Sequence, residues 1–261
     1  IAITFNYFTA GTLALSSYLL ENSFIELKTN TNLNLVIIAL IIGTLFVITF
    51  NLYAYSAQKI GITLSTISNK MSMVIPILIG IILFKEEVTF FKIIVVFLAL
   101  GAIVFSSKED KKSKKLSQLN IIILFLLFIG QGLADGLLNW GQRNILNNQN
   151  MNLFFTLTFL FAGFTGGLYS FFKIKTSNLK MDKKSIFWGI ILGIPNYLTL
   201  LYFIKSLKSE LFSSYQVFPI VNIGVIVMCT SLSVILFQEK VSIFKWVGVG
   251  VGILAISLIL L

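Results

Sequence analysis

Histidine is absent from this 261-residue sequence, and cysteine, proline and charged residues are scarce. Without histidine the chain cannot form a Ser/His/Asp triad, a histidine metal site or a histidine pH switch. The single cysteine, Cys229, lies in an apolar run and cannot form an intrachain disulfide. Because no catalytic residue, metal site or cofactor site is indicated, we expect a protein that is not an enzyme.

Charged residues make up 11% of the sequence, whereas hydrophobic residues make up 57%. A water-soluble domain has about 25% charged residues. Most of the surface must therefore face something other than water, and a lipid bilayer is the simplest partner. The formal net charge of +10 comes from lysines in short links between apolar runs. This pattern indicates membrane orientation and argues against nucleic-acid binding, which needs a folded basic face.

Nine apolar segments approach the length of about 20 residues that a membrane-spanning helix needs. Their apolar character is continuous rather than alternating, which predicts helices. The fold class that we expect is an all-α polytopic membrane protein. The predicted helices are 1–20, 34–57, 62–84, 90–107, 118–141, 151–173, 185–205, 211–237 and 242–261.

A nine-residue pattern, F-x-E-x-V-[ST]-x-F-K, occurs at 84–92 and again at 237–245, each time between two apolar segments. Asn69 maps onto Asn222 at the same offset of 153, and Ala10-Gly11 maps onto Ala162-Gly163 at an offset of 152. This ordered series predicts an internal duplication. The predicted parts are a first half-repeat at 1–107, a Lys-rich linker at 108–117 and a second half-repeat at 118–261.

The duplication pairs eight of the nine segments and leaves 118–141 without a partner. We therefore expect one further helix before Ile1, which would give five helices in each half, nine of them in this chain. The predicted pairs are 1–20 with 151–173, 34–57 with 185–205, 62–84 with 211–237, and 90–107 with 242–261.

Lysine positions predict the orientation. The links on the side where residue 1 begins (side A) hold twelve Lys or Arg residues, against five on the opposite side (side B), so side A is predicted to be cytoplasmic. Five helices per half is an odd number, so the halves would insert in opposite directions. Inverted repeats are typical of secondary transporters, in which the substrate binds near the membrane midplane.

The two Glu-containing hinges and the final Lys245-Trp246-Val247-Gly248 segment resemble the EamA-type drug/metabolite transporter superfamily, over essentially the whole chain. The resemblance implies transport of a small metabolite across a bacterial cytoplasmic membrane, without identifying the substrate. In two respects the sequence departs from the family pattern. Lys85 and Gln238 precede the hinge Glu, where the family often has Gly. The lysine count also places the expected N-terminus outside the cell, whereas in many members of the family the N-terminus is predicted to be cytoplasmic.

Lys70 and Asp135 are the two ionisable residues well inside predicted helices, where a charge costs about 2.5–3.5 kcal/mol. In one interpretation Lys70 binds an anionic substrate group and Asp135 takes up a coupling proton. In the other, the two side chains neutralise each other or extend to the membrane surface.

Polar residues form stripes on otherwise apolar helices. Gln131, Asp135 and Asn139 are spaced by four, so they share one face, which should turn toward protein or water. Thr66, Asn69 and Lys70 share a face of 62–84, for which packing through small polar residues is the alternative. The substrate-binding candidates are Asn6, Thr66, Asn69, Lys70, Gln131, Asp135, Asn139, Tyr197, Gln216 and Asn222.

All three prolines, Pro76, Pro195 and Pro219, fall inside predicted helices, where each either kinks the helix or breaks it beside a cavity. The predicted function is that of a secondary transporter for a small polar metabolite. No G-x-x-x-x-G-K-[ST] pattern is present, so a gradient or substrate exchange would drive it. A non-catalytic membrane subunit or sensor, or a membrane-embedded enzyme, is the alternative. A homodimer is left open.

Overall fold

The computed structural model describes residues 1–21, 32–60, 62–85, 90–106, 117–147, 149–177, 182–209, 211–237 and 243–259. These residues form α-helices and contain no strand, which confirms the helical prediction for the part of the chain that they cover. The helices are α1 (Ala2–Glu21), α2 (Leu33–Lys59), α3 (Ile62–Met71), α4 (Val74–Phe84), α5 (Phe90–Ser106), α6 (Gln118–Asn144), α7 (Met151–Ser177), α8 (Lys183–Lys208), α9 (Ser214–Phe237) and α10 (Ile243–Ile259).

Within the described residues, four helices are long and apolar enough to cross a membrane: α2, α6, α7 and α8. Large apolar side chains cover their outer surfaces; on α6, for example, Ile121, Ile122 and Phe125 are exposed. Exposed apolar surface on this scale is unfavourable in water, and a helix satisfies its own backbone hydrogen bonds in lipid. The protein is therefore a helical membrane protein.

Polar side chains mark where several helices begin. Asn32 accepts a hydrogen bond from the backbone N–H of Leu35 at 2.7 Å before α2, and Asp182 accepts one from the N–H of Lys184 at 3.1 Å before α8. At α9 the Gln216 side chain accepts from both the N–H and the hydroxyl of Ser213 at 3.0 Å. These caps satisfy N–H groups that the first helical turn leaves without partners.

The predicted segment 62–84 is two helices rather than one, because the chain breaks at Ser72 and Met73. Pro76 has no N–H with which to reach the Ser72 carbonyl, and its ring opposes a continuous helix there. The N–H of Ile75 donates to that carbonyl instead, at 3.0 Å. Pro195 and Pro219, in contrast, lie inside the continuous helices α8 and α9.

Lys85 ends α4 in a left-handed conformation, with φ of 51° and ψ of 37°, and its N–H donates to the Gly80 carbonyl. Glycine is the residue that best tolerates this conformation at a helix end. Lys85 therefore has a backbone conformation that favours glycine. The middle of each hinge, 86–89 and 238–242, lies outside the described residues, as do residues 108–116 of the predicted Lys-rich linker.

The chain divides into two compact units. Unit 1 contains Ile1–Ile48 and Leu137–Ser209, and in it α1 packs against α7 and α8. Unit 2 contains Thr49–Gly136 and Glu210–Leu261, and in it α5 packs against α10, and α9 packs against α4, α5 and α10. Each unit therefore combines segments from both predicted half-repeats.

The contact between α1 and α7 is reciprocal, in the sense that position i of α1 meets the equivalent of position j on α7, and j of α1 meets the equivalent of i. A Cβ placed on Gly11 would meet the Leu160 side chain at 3.1 Å, and one placed on Gly163 would meet the Phe8 ring at 3.0 Å. The Tyr7 and Phe159 rings also stack between these two helices, with centroids 6.3 Å apart. Positions 11 and 163, 8 and 160, and 7 and 159 are each separated by 152. The helices run antiparallel, since Thr4, early in α1, contacts Ser170, late in α7, at 3.2 Å.

A second reciprocal contact involves glycines of α2 and α8. A Cβ on Gly43 would lie 2.5 Å from the Thr158 carbonyl oxygen and 3.2 Å from the Phe161 Cβ. A Cβ on Gly193 would lie 2.7 Å from the Asn6 carbonyl oxygen and 2.5 Å from the Thr9 Cβ. Because Asn6 and Thr158, like Thr9 and Phe161, are 152 positions apart, α2 packs on α7 as α8 packs on α1.

Candidate functional site

A chain of polar side chains connects α3 to α6 inside unit 2. The Asn69 amide donates to Gln131 Oε1 at 3.3 Å, and the Gln131 amide donates to Asp135 Oδ1 at 3.0 Å. Ser68 on α3 also donates to the Leu124 carbonyl of α6. The spacing of four, which puts Gln131 and Asp135 on one face of α6, thus brings the two side chains into contact.

Lys70 follows Asn69 directly in α3. It lies in the last turn of α3, where a cation interacts favourably with the helix dipole. Because the helix ends at Met71, Lys70 lies at a helix end, whereas the sequence predicted it to lie inside a continuous helix.

Asn222 lies at the helix break. Its amide donates to the Phe218 carbonyl at 3.0 Å and contacts the Met73 sulfur at 3.6 Å. Met73 is the residue that precedes α4, and no side chain caps that helix start. Asn69 and Asn222, which the sequence predicts to be repeat equivalents, therefore flank the same interruption. The Asn69 carbonyl accepts a hydrogen bond from Ser72, and Asn222 contacts Met73.

Two glycines of α6 allow α4 to approach closely. A Cβ on Gly132 would collide with the Ile75 side chain, and one on Gly136 would lie 2.5 Å from Ile79 Cδ1. Gly132 and Gly136 are four residues apart and flank Asp135. The small-residue face thus brings the first turns of α4 against the part of α6 that carries the carboxylate, as small residues do between membrane helices.

Two further candidates in unit 2 have structural hydrogen bonds. The Thr66 hydroxyl lies 2.9 Å from the Tyr53 hydroxyl, which joins α3 to α2. Gln216 uses its side-chain oxygen to cap α9. Both contacts explain these residues without a ligand, and a substrate-binding role for either stays a prediction.

The three remaining candidates, Asn6, Asn139 and Tyr197, belong to unit 1. The Asn196 amide donates to Asn6 Oδ1 at 2.9 Å, and the Tyr197 hydroxyl donates to Ser17 Oγ at 2.9 Å. Asn139 is fully buried. The α1–α8 contact thus contains two polar side-chain pairs.

Sequence reasoning did not select Tyr53 or Ser17, the hydrogen-bond partners of Thr66 and Tyr197. In the sequence, each of these residues is distinguished only by a hydroxyl group within an apolar segment. Within the described residues no three His, Cys, Asp or Glu side chains lie close enough together to hold a metal ion.

No protein-family model matches the chain. The chain is similar to an uncharacterised protein of Haemophilus influenzae, with 27% identity over 261 residues that cover 98% of this chain and 86% of the relative. The similarity therefore extends over almost the entire sequence, and the relative's description assigns it no activity.

Proposed function

We propose that this protein is a secondary transporter that moves a small polar metabolite across a bacterial cytoplasmic membrane by alternating access between inverted repeats, as in EamA-type drug/metabolite transporters. The observation that carries the proposal is the Asn69–Gln131–Asp135 chain with Lys70 beside it, in a membrane protein. Ionisable groups within apolar helices are costly, and they are typical of substrate and ion pathways.

The broken segment supports the same proposal. Non-helical backbone is tolerated at membrane depth where it lines a cavity or is buried in protein. In many transporters, interrupted helices contribute to the substrate site. Here the interruption at Ser72 and Met73 is adjacent to Lys70, and Asn222 of α9 contacts it.

The reciprocal contacts in unit 1 support inverted repeats. A two-fold relation requires that if residue i of one copy meets residue j of the other, then j of the first meets i of the second. The Gly11–Leu160 and Gly163–Phe8 contacts have this form at the offset of 152 that the sequence predicts. The antiparallel direction of α1 and α7 is what opposite insertion of the two halves would produce.

The test is solute flux into liposomes that contain the purified full-length chain as their only protein. Amino acids, nucleotides, sugars and carboxylates would be screened with and without a pH gradient. We expect saturable uptake of one class, and loss of that uptake in the Asn69→Leu and Gln131→Leu variants. Thr176→Ala, at an exposed hydroxyl near the end of α7, is the matched control and should retain transport.

Two outcomes would refute the transporter proposal. Absence of flux for every class, in protein that remains folded, would favour a membrane subunit or sensor. Chemical conversion of a solute without its accumulation would favour a membrane-embedded enzyme.

A further inference from the structure

One end of unit 1 brings together the last turns of α7 and the first turns of α8. The Thr4 hydroxyl of α1 lies 3.2 Å from the Ser170 hydroxyl of α7, and a Cβ on Gly189 of α8 would lie 2.5 Å from the Ala2 carbonyl oxygen. The start of α1 therefore contacts both helices, which places residues near 170 and near 189 at the same end of the unit.

Four exposed lysines surround this end: Lys173 and Lys175 in the last turns of α7, and Lys183 and Lys184 in the first turn of α8. Asp182 is the only acidic residue between positions 170 and 190. Its carboxylate caps the N–H of Lys184 at 3.1 Å, so it is occupied at the helix start. The end therefore carries a concentrated positive charge.

Exposed aromatic side chains border the lysines. Phe171 and Phe172 of α7 are 62% and 64% exposed, and Phe187 and Trp188 of α8 are each 58% exposed. Each pair is arranged edge to face, with ring centroids 6.0 Å and 5.7 Å apart. Of these residues, Trp188 is of a type that is enriched at the headgroup level of a bilayer.

We propose that this end of unit 1, the basic end, is a binding site for the headgroup of an acidic phospholipid. The rings would contact the upper acyl chain, and the lysine ammonium groups would contact the phosphate and the anionic headgroup. A free phosphate ion would use the lysines alone, whereas a lipid uses both features. Juxtamembrane lysines attract acidic lipids of the cytoplasmic leaflet, and the basic end is on side A, which the lysine distribution predicts to be cytoplasmic.

The experiment measures lipid preference at Trp188. The full chain would be reconstituted into phosphatidylcholine vesicles that contain either brominated phosphatidylglycerol or brominated phosphatidylcholine, and quenching of tryptophan fluorescence would be followed against mole fraction. We expect stronger quenching by the acidic lipid. Because the chain has three tryptophans, the Trp188→Phe variant locates the signal and should lose the preferential component.

Substitution of the lysines tests the charge. The Lys183→Gln/Lys184→Gln variant should need a higher mole fraction of phosphatidylglycerol for half-maximal quenching, by about fivefold for each lysine. Lys205→Gln/Lys208→Gln, at the other end of α8, removes the same charge and should leave the preference unchanged. Lys183→Arg/Lys184→Arg keeps the charge and should also retain it, which separates the electrostatic effect from a folding defect.

Three results would overturn the proposal. Equal quenching by the two brominated lipids in the unmodified protein would show that no preference exists. Persistence of the preferential component in Trp188→Phe would place the lipid elsewhere. An equal loss in both glutamine variants would show that the preference depends on net charge alone.

Discussion

The charge of Asp135 and its hydrogen bond can be separated by one substitution. Gln131 Nε2 donates to Asp135 Oδ1 at 3.0 Å, and the side-chain oxygen of an asparagine could accept the same bond. If Asp135 carries the coupling proton, Asp135→Asn should reduce the rate of gradient-driven uptake by at least about tenfold. The rate of substrate exchange should stay unchanged. Uptake and exchange would be measured in the same liposomes, with and without a pH gradient.

Asp182→Asn is the control for this prediction. Asp182 is exposed and caps α8, and asparagine is an equally good cap, so transport and stability should be unchanged. Gradient-driven uptake that survives in Asp135→Asn would remove the proton-carrier interpretation while leaving transport itself intact.

Lys70 has both a structural and a functional interpretation, which Lys70→Met distinguishes. Loss of its interaction with the end of α3 should cost about 0.3–1 kcal/mol of stability. Loss of a substrate contact should in addition raise the substrate concentration for half-maximal uptake by about tenfold or more. Lys59→Met, in the last turn of α2, should show only the stability effect. Thermal unfolding in detergent and liposome uptake are the two measurements.

A double variant tests whether Lys70 and Asp135 serve only to neutralise each other. In that case Lys70→Met/Asp135→Asn should recover the uptake that either single variant loses, because neither charge is left uncompensated. We expect no recovery, since the proposed roles of the two groups are separate.

At the scale of the helix, Gly43 and Gly193, like Gly189, make close contacts in unit 1 in which the opposing atoms include backbone carbonyl oxygens. Gly43→Ala and Gly193→Ala should each destabilise the protein, by about 1–3 kcal/mol, since backbone cannot move aside as a flexible side chain can. Similar losses are expected because the two contacts are reciprocal. Thermal unfolding in detergent would be compared for the two variants.

Gly250→Ala is the matched control, because a Cβ there would meet nothing within 4 Å. Alanine has the higher helix propensity, so this variant should be as stable as the unmodified protein or more stable. A Gly43→Ala variant as stable as Gly250→Ala would show that α2 and α7 do not pack as closely as described.

Helices were predictable from the sequence to within a few residues because each apolar run satisfies its backbone hydrogen bonds within itself. The Gln131–Asp135 contact was also local, at a spacing of four. Contacts between helices were not predictable in the same way. Asn69 meets Gln131 only because α3 lies beside α6, and Asn6 meets Asn196 from 190 positions away. The break at Ser72 and Met73 required a choice between a kink and an interruption that Pro76 alone does not decide.

At the scale of the whole molecule, the orientation in the membrane can be tested through α7. This helix has 27 residues and is about 40 Å long, which exceeds the roughly 30 Å hydrocarbon core of a bilayer. Exposed positions beyond its start and near its end, Gln149 and Thr176, should therefore lie on opposite sides of the membrane. Single cysteines at these positions, in a chain in which Cys229→Ala removes the native thiol, would be labelled with a membrane-impermeant maleimide.

Intact cells should label the Gln149→Cys variant, whereas the Thr176→Cys variant should react only after lysis, because the lysine-rich links of side A are predicted to face the cytoplasm. Cys229→Ala alone controls for background labelling. The opposite pattern would reverse the orientation and would place the basic end of unit 1 against the outer leaflet. Labelling of both variants in intact cells would contradict a membrane crossing by α7, and with it the inverted insertion of α1 and α7 on which the transport proposal depends.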